Sequence, residues 1–368
     1  MEAPVVVGLI AGAVSLIVAL LGQIFNPIAQ RKLENQKSEL QGQIEGQKAA
    51  LQAIIENQKA ELQKQIEDAK AESADRNSAK AARRDYEYEA LKRLYTQVEP
   101  FFLQLYEAVD SCYSRISALA RTSRQHHLGT GHDSWIDQPG YFLRSTAYRL
   151  IVPAVHFRII QRRITFVDFK LDQTLRLRYL LLRSLFRSYG DAFDFAGLSP
   201  KLDYDPVWEG REHLLMNPVS YPQGLVAGDL DNTVEYLIHT QNDSTQPLTF
   251  GAFETEVRAI GNPQLADPDT GRKVEDLEEL ISLYCAFSPE TRPILARMLL
   301  AQAGLCFLVM LTYRGQTSVD ILRTGLEGFC ADNEMRKDLC WDAGASLGAI
   351  DIVRPYLNSC IDHIATAP

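Results

Sequence analysis

Residues 35–67 read NQKSELQGQIE, GQKAALQAIIE and NQKAELQKQIE, which are three close copies of one eleven-residue block. A fourth block over 68–78, DAKAESADRNS, keeps the length but loses the pattern. The hydrophobic positions recur at intervals of seven and four residues: Leu33, Leu40, Ile44, Leu51, Ile55, Leu62 and Ile66. Eleven residues over three turns give about 3.67 residues per turn, so such helices pack nearly straight or with a weak right-handed supercoil.

The repeat is too polar to be stable as an isolated helix, because its narrow hydrophobic stripe is buried only when chains associate. Glutamine stands within each seven-residue interval, at Gln36, Gln47 and Gln58. A polar residue at a core position weakens a helical bundle but fixes its register and its number of chains. The sequence therefore predicts a parallel, homo-oligomeric coiled-coil stalk over 31–84. The alternative is one long helix that packs back on its own domain.

An uncharged segment precedes the repeat: residues 4–25 read PVVVGLIAGAVSLIVALLGQIF. A helix of this length reaches about 33 Å, enough for the hydrocarbon core of a bilayer. The basic residues Arg31 and Lys32 follow the segment. The positive-inside rule then places the C-terminal domain in the cytoplasm and the N-terminus outside. We expect one transmembrane anchor over 1–30, with the lipid bilayer as a partner.

Small residues form a stripe within this segment, where Gly8 and Gly12 make a GxxxG motif and Ser15 continues it. Such a stripe lets helix backbones approach closely in lipid, which favours self-association. Together with the repeat, it gives the residues that we predict at the oligomer interface: Gly8, Gly12, Ser15, Gln36, Leu40, Ile44, Gln47, Leu51, Ile55, Gln58, Leu62 and Ile66.

The rest of the chain has the pattern of an all-α body. Heptad spacing over 88–116 predicts a helix whose core face includes Tyr88 and Tyr95. Asp172 is predicted to cap the N-terminus of a helix that ends near 188. Residues 298–313 are almost entirely apolar and are interpreted as a buried core helix, not a second span. Further helices are expected near 141–161, 230–240, 250–260, 274–286, 289–312 (with Ser288 as cap), 317–330 and 344–365.

Charge is distributed unevenly over this body. Residues 100–190 carry 13 basic and 6 acidic side chains, whereas residues 191–368 carry 12 basic and 27 acidic ones. We divide the body into a basic helical region over 85–190, a Pro-, Gly- and Asp-rich connection over 191–228, and an acidic helical region over 229–368. The two helical regions are expected to pack together as one body.

The basic region has several candidate partners. It suits an anionic ligand, a membrane surface, or the acidic region of the same chain or of a neighbouring subunit. Spacing alone leaves these alternatives open. The arginines that we predict to contact an anionic partner are Arg144, Arg149, Arg158, Arg162, Arg163, Arg176 and Arg183.

Two arginine–histidine pairs resemble the catalytic motif of HEPN ribonucleases, which are helical bundles that often act as dimers. Arg121 and His126 have the spacing R-x4-H, and Arg149 and His156 have the spacing R-x6-H. The resemblance covers two residues in each pair. It implies a catalytic role for Arg121 and His126. The function that it implies is a membrane-tethered ribonuclease or a nucleotide-responsive effector.

The main expectation is a protein without enzymatic activity. The sequence has no Walker A run and no GxGxxG or HExxH motif. His126, His127, His132 and Asp133 stand close together, but in a glycine-containing loop where exposed histidines are ordinary, so neither a metal nor a cofactor is predicted. The six cysteines form no CxxC pair, as expected in a reducing compartment. We expect a scaffold, a sensor or a gated pore.

Overall fold

Helices make up most of the part of the chain that the computed structural model describes, which confirms the all-α prediction. The described residues are 3–129, 131, 134–136, 140–164, 171–202, 204, 223–241, 244–260, 271–315, 317–331 and 349–366. Within them the helices are α1 (Ala3–Arg124), α2 (Tyr141–Arg163), α3 (Gln173–Arg187), α4 (Ala192–Gly197), α5 (Ala227–Tyr236), α6 (Phe250–Ile260), α7 (Gly271–Tyr284), α8 (Pro293–Tyr313), α9 (Val319–Ala331) and α10 (Ala349–Thr366). The chain divides into two units, Met1–Asp85 and Tyr86–Pro368.

A short hairpin interrupts the helical pattern of the second unit. Strand β1 (Ile238–Gln241) pairs antiparallel with β2 (Ser244–Pro247), and Thr240 lies opposite Thr245. The helix predicted near 230–240 therefore ends earlier, at Tyr236. Leu237 is still buried in the core, but the β-branched residues Ile238 and Thr240 that follow it suit a strand, and the paired threonines suit a ladder.

The core face of α1 in the second unit begins later than the heptad spacing predicts. Leu94 and Val98 are buried, whereas Tyr88 is 67% exposed and Tyr95 is 42% exposed. The prediction that both tyrosines belong to the core is therefore wrong. The Tyr95 hydroxyl instead donates a hydrogen bond to the carboxylate of Asp172. A tyrosine can pack its ring against the protein and still keep its polar end at the surface.

Asp172 caps α3 as predicted. Its Oδ1 atom accepts hydrogen bonds from the backbone N–H groups of Thr174 at 2.8 Å and Leu175 at 3.0 Å. These groups have no partner within the helix, so the cap satisfies two donors at once. The contact with Tyr95 then ties the start of α3 to α1 within the second unit.

Helix α8 lies at the centre of the second unit and packs against α3, α4, α9 and α10. It is long and apolar enough to cross a membrane, but 94% of its most apolar 18-residue window is buried in the protein. The buried core helix predicted for 298–313 is therefore present. It begins at Pro293, not at 289, because Ser288 accepts a hydrogen bond from the Thr291 N–H and holds a turn ahead of the helix.

Two buried features of α8 show how closely it is packed. A Cβ atom added at Gly304 would lie 2.7 Å from Cδ1 of Leu357 on α10, so glycine allows this approach. The Arg297 guanidinium is also buried, and it donates hydrogen bonds to the carbonyl oxygens of Phe195 at 2.9 Å and Pro200 at 2.7 Å. A buried charge is tolerated when its donors are satisfied in this way.

Candidate functional site

An exposed row of aliphatic side chains follows α1 within the first unit. We call it the hydrophobic row: Leu33, Leu40, Ile44, Leu51, Ile55, Leu62 and Ile66. Each of these side chains is between 51% and 68% exposed. Burying one aliphatic side chain of this size contributes about 1.5–3 kcal/mol. A continuous exposed row is therefore a candidate interaction surface rather than scattered surface hydrophobicity.

The other predicted interface residues of the first unit are exposed as well. Gln36, Gln47 and Gln58 lie on the helix surface between members of the hydrophobic row. At Gly8 and Gly12, an added Cβ atom would meet no atom within 4 Å. The helix surface at these two glycines therefore leaves room for another helix to approach.

The N-terminal apolar segment is described only in part. Ala11–Gln23 is an apolar stretch of α1, shorter than a membrane span. Its large side chains are exposed, from 47% at Leu21 to 63% at Leu16. The side chains of residues 4–7, 9–10 and 24–28 lie outside the described set, so the predicted span extends beyond what can be described here.

Three of the predicted arginines pair with acidic residues of the same chain. Arg144 binds Glu254 on α6, with 2.8 Å between Nη2 and Oε1. Arg158 and Arg162 form ion pairs with α5 through Asp231 and Glu235 respectively. The basic and acidic regions therefore contact each other inside the second unit.

The remaining arginines have other surroundings. The Arg163 guanidinium lies over the Phe101 ring, 5.2 Å from its centre. Arg176 is half-buried on α3. Arg149 and Arg183 are exposed, and neither forms an ion pair with any residue in the described part of the chain.

The first arginine–histidine pair lies at the end of a helix. Arg121 is exposed in the last turn of α1. His126 follows the helix, is exposed, and has a positive φ of 59°. Of the loop that follows, His132 and Asp133 lie outside the described residues. No group of three or more His, Cys, Asp or Glu side chains could hold a metal within the residues that the structure describes.

One cavity of about 440 Å³ lies between α3, α4 and α10. Asp191 lies in its wall and accepts a hydrogen bond of 2.8 Å from the Tyr356 hydroxyl. Burial raises the pKa of the Asp191 carboxyl. Burial also raises the pKa of the Cys360 thiol to about 11, so this thiol is protonated and is a poor nucleophile at neutral pH. The wall can offer hydrogen bonds but not thiolate chemistry.

A second cavity, of about 360 Å³, lies between α1, α2 and the segment that follows β1. Arg149 and His156 of the second arginine–histidine pair both line it, whereas their spacing alone gave no reason to expect a shared cavity. The other lining residues were not predicted: Gln104, Glu107, Ala108, Ser111, Tyr148, Val152, Gln246, Pro247, Leu248 and Thr249. They come from three separate stretches of the chain, 104–111, 148–152 and 246–249, and no local sequence signal links them.

No protein-family model matches the chain, and comparison with curated proteins and with solved structures gives no significant match. Function is therefore argued from the residues of this chain.

Proposed function

We propose that this protein is a homo-oligomeric, single-pass membrane protein whose parallel helical stalk presents a cytoplasmic helical domain. The observation that carries the proposal is the hydrophobic row, which stays at least 51% exposed from end to end. Its seven-four spacing is that of a bundle seam with an eleven-residue period. Another copy of the same helix has the matching period, so a second copy of the chain is the expected partner.

The glutamines support a parallel arrangement in register. Gln36, Gln47 and Gln58 recur every eleven residues on the same face as the hydrophobic row. In a parallel bundle each glutamine meets its own equivalent, so the amides can hydrogen-bond around the ring. An antiparallel partner would set most glutamines against leucine or isoleucine and leave their polar groups unpaired.

The membrane anchor fits the same arrangement. The uncharged segment over 4–25 precedes the stalk in every copy, so all chains would be held at the same end. Gly8, Gly12 and Ser15 would let the anchors approach closely in lipid. By the positive-inside rule, Arg31 and Lys32 support a cytoplasmic location for the second unit.

The second unit is proposed to act as a scaffold, a sensor or a gated pore, without catalysing a reaction. Arg144, Arg158 and Arg162 pair inside the chain, which leaves Arg149, Arg163 and Arg183 as exposed members of the predicted set that form no ion pair with the described residues. Several copies held by one stalk would present these positions together, and multivalent presentation strengthens weak binding.

The test is the mass of the full chain in detergent. We expect an oligomer for the wild type and a monomer for the double variant Leu51→Glu, Ile55→Glu, because two buried charges per chain oppose the seam. Ala53→Glu is the matched control, since it adds a charge on the opposite side of the same helix turn. A monomeric wild type, or equal loss of mass in the control, would overturn the proposal.

Conductance separates the pore from the other two roles. The intact oligomer in a planar bilayer is expected to conduct if the anchors surround a channel. If no conductance is recorded under conditions where the oligomeric mass is preserved, the role of a pore is excluded and the role of a scaffold or sensor remains.

A further inference from the structure

We propose that the 360 Å³ cavity between α1, α2 and the β2 segment binds a small organic phosphate, with the phosphate group against Arg149. This site does not depend on the oligomeric stalk, because all of its described lining residues lie in the second unit. The volume falls within the usual range of small-molecule sites, about 300–1,000 Å³.

Three walls form the cavity. Gln104, Glu107, Ala108 and Ser111 recur at helical spacing and so form one face of α1. Arg149, Val152 and His156 form one face of α2 in the same way. Residues 246–249 close the third side, and the Tyr148 hydroxyl holds them by donating to the Leu248 carbonyl oxygen at 2.7 Å. The walls are thus fixed to one another without a ligand.

Arg149 lines this cavity, and a second guanidinium group, that of Arg115, lies beside it outside the described lining. Arg115 is one helical turn beyond Ser111 on α1, and its Nη2 atom donates to Ser145 Oγ at 2.9 Å. Ser145 is one turn before Arg149 on α2, which places Arg115 and Arg149 side by side. Burial, and then the neighbouring charge of Arg149, lowers the pKa of Arg115. Adjacent like charges of this kind are stabilised by a dianion.

Arg149 is the arginine whose hydrogen-bonding capacity is open to the cavity. Arg149 is exposed and forms no ion pair with the described residues, whereas Arg115 donates to Ser145 and contributes to the site through its positive charge. A phosphate monoester carries a charge of about −1.5 to −2 at pH 7 and three acceptor oxygens. Its oxygens match planar guanidinium donors better than a single carboxylate would.

The rest of the wall suits an uncharged, polar body. Gln104, Gln246 and Thr249 offer amide and hydroxyl groups. His156 is 7% exposed, and its buried Nδ1 atom has no hydrogen-bond partner in the described structure. Glu107 is the acidic member of the described lining, so a ligand with hydrogen-bond donors away from its phosphate is preferred. Sugar phosphates and nucleoside monophosphates have this combination.

Calorimetric titration of the full chain in detergent tests the proposal. The probes are the four ribonucleoside monophosphates, ribose 5-phosphate, glucose 6-phosphate, inorganic phosphate and unphosphorylated adenosine. We expect at least one organic phosphate to bind, and adenosine and inorganic phosphate each to bind at least about tenfold more weakly than that probe. Absence of binding by every organic phosphate up to about 10 mM would overturn the proposal.

Variants locate the site. Arg149→Gln is expected to weaken the bound phosphate by about tenfold or more, since a charge-assisted hydrogen bond is lost. Arg183→Gln is the matched control, because Arg183 is also exposed and lies on α3, outside the described lining. Equal weakening by the two variants would contradict the assignment.

A second variant tests the same site independently, in case Arg149→Gln does not fold. Gln104 is exposed, so Gln104→Glu adds a negative charge to the lining without altering the core. It is expected to weaken the organic phosphate and to leave adenosine unchanged. Unchanged phosphate affinity in both Gln104→Glu and Arg149→Gln would rule this cavity out.

Discussion

The Nη2 atom of Arg144 lies 2.8 Å from Oε1 of Glu254, and this contact joins α2 to α6. The Arg258 guanidinium donates to the same oxygen at 3.0 Å. The hydrogen bond from Arg144 and then the one from Arg258 lower the pKa of the Glu254 carboxyl. The pair is one place where the basic and acidic regions of the sequence meet directly.

Replacing Arg144 with glutamine should raise the pKa of Glu254. A carboxyl whose pKa is lower in the folded state adds stability above its unfolded pKa and loses it as the pH falls through the folded pKa. The wild type should therefore lose more stability than Arg144→Gln as the pH falls below about 5. Melting temperature measured against pH is the readout. Arg323→Gln breaks an exposed pair with Asp362 and should keep the wild-type profile.

Replacing Gln47 with leucine should raise the stability of the stalk and make its number of chains less well defined. A hydrophobic residue at this layer adds buried apolar surface, whereas the amide fixes register and chain number. We expect a higher melting temperature together with more than one oligomeric mass in native mass spectrometry. Gln52→Leu, which lies off the hydrophobic row, should change neither. A single unchanged mass for Gln47→Leu would show that the glutamine layer does not select chain number.

Alanine at Gly304 should destabilise the second unit. The added methyl group would meet Leu357 at 2.7 Å, and overpacking of a core costs about 1–3 kcal/mol. Gly328 in α9 has no atom within 4 Å of the same position. Alanine there should stabilise by about 0.5–1 kcal/mol through helix propensity alone. Denaturant unfolding of both variants compares the two effects, and equal free-energy changes would refute the close approach.

His156 should make the second unit sensitive to mild acid. Burial lowers its pKa to about 4, against an ordinary value of about 6.5. At a pH between these two pKa values, His156 binds a proton in the unfolded chain but not in the folded chain. The free energy of unfolding therefore falls as the pH falls. The full effect is about 3 kcal/mol. His156→Gln should flatten the fall between about pH 6.5 and pH 4, and an unchanged slope would assign it to other groups.

Local patterns predicted the parts of this fold that depend on neighbouring residues. Asp172 was identified as a cap because its side chain needs only the backbone N–H groups of the next turn. The long apolar run of α8 indicated a buried helix in the same way. Tyr88 and Tyr95 were misplaced, because which turn of α1 first meets the core depends on helices elsewhere in the chain.

The two candidate sites also differ in whether neighbouring or distant residues form them. The hydrophobic row could be identified from its period alone, since all of its members lie on one helix. The phosphate cavity could not, because Gln104, Arg149 and Thr249 come together only when α1, α2 and the β2 segment pack. The spacing of Arg149 and His156 placed both on one helix face but gave no indication of the opposite walls.

Helix α8 also imposes an order of events during synthesis. Two of the helices that cover it, α9 and α10, leave the ribosome after it. At ordinary rates of translation its apolar surface therefore stays uncovered for about 3–10 s. During that interval the segment resembles a substrate for membrane insertion. Arg297 opposes that outcome, because a charged side chain within a membrane span is costly to insert. We therefore expect the side chain that binds the carbonyl groups of Phe195 and Pro200 in the finished fold also to disfavour insertion of the nascent helix into lipid.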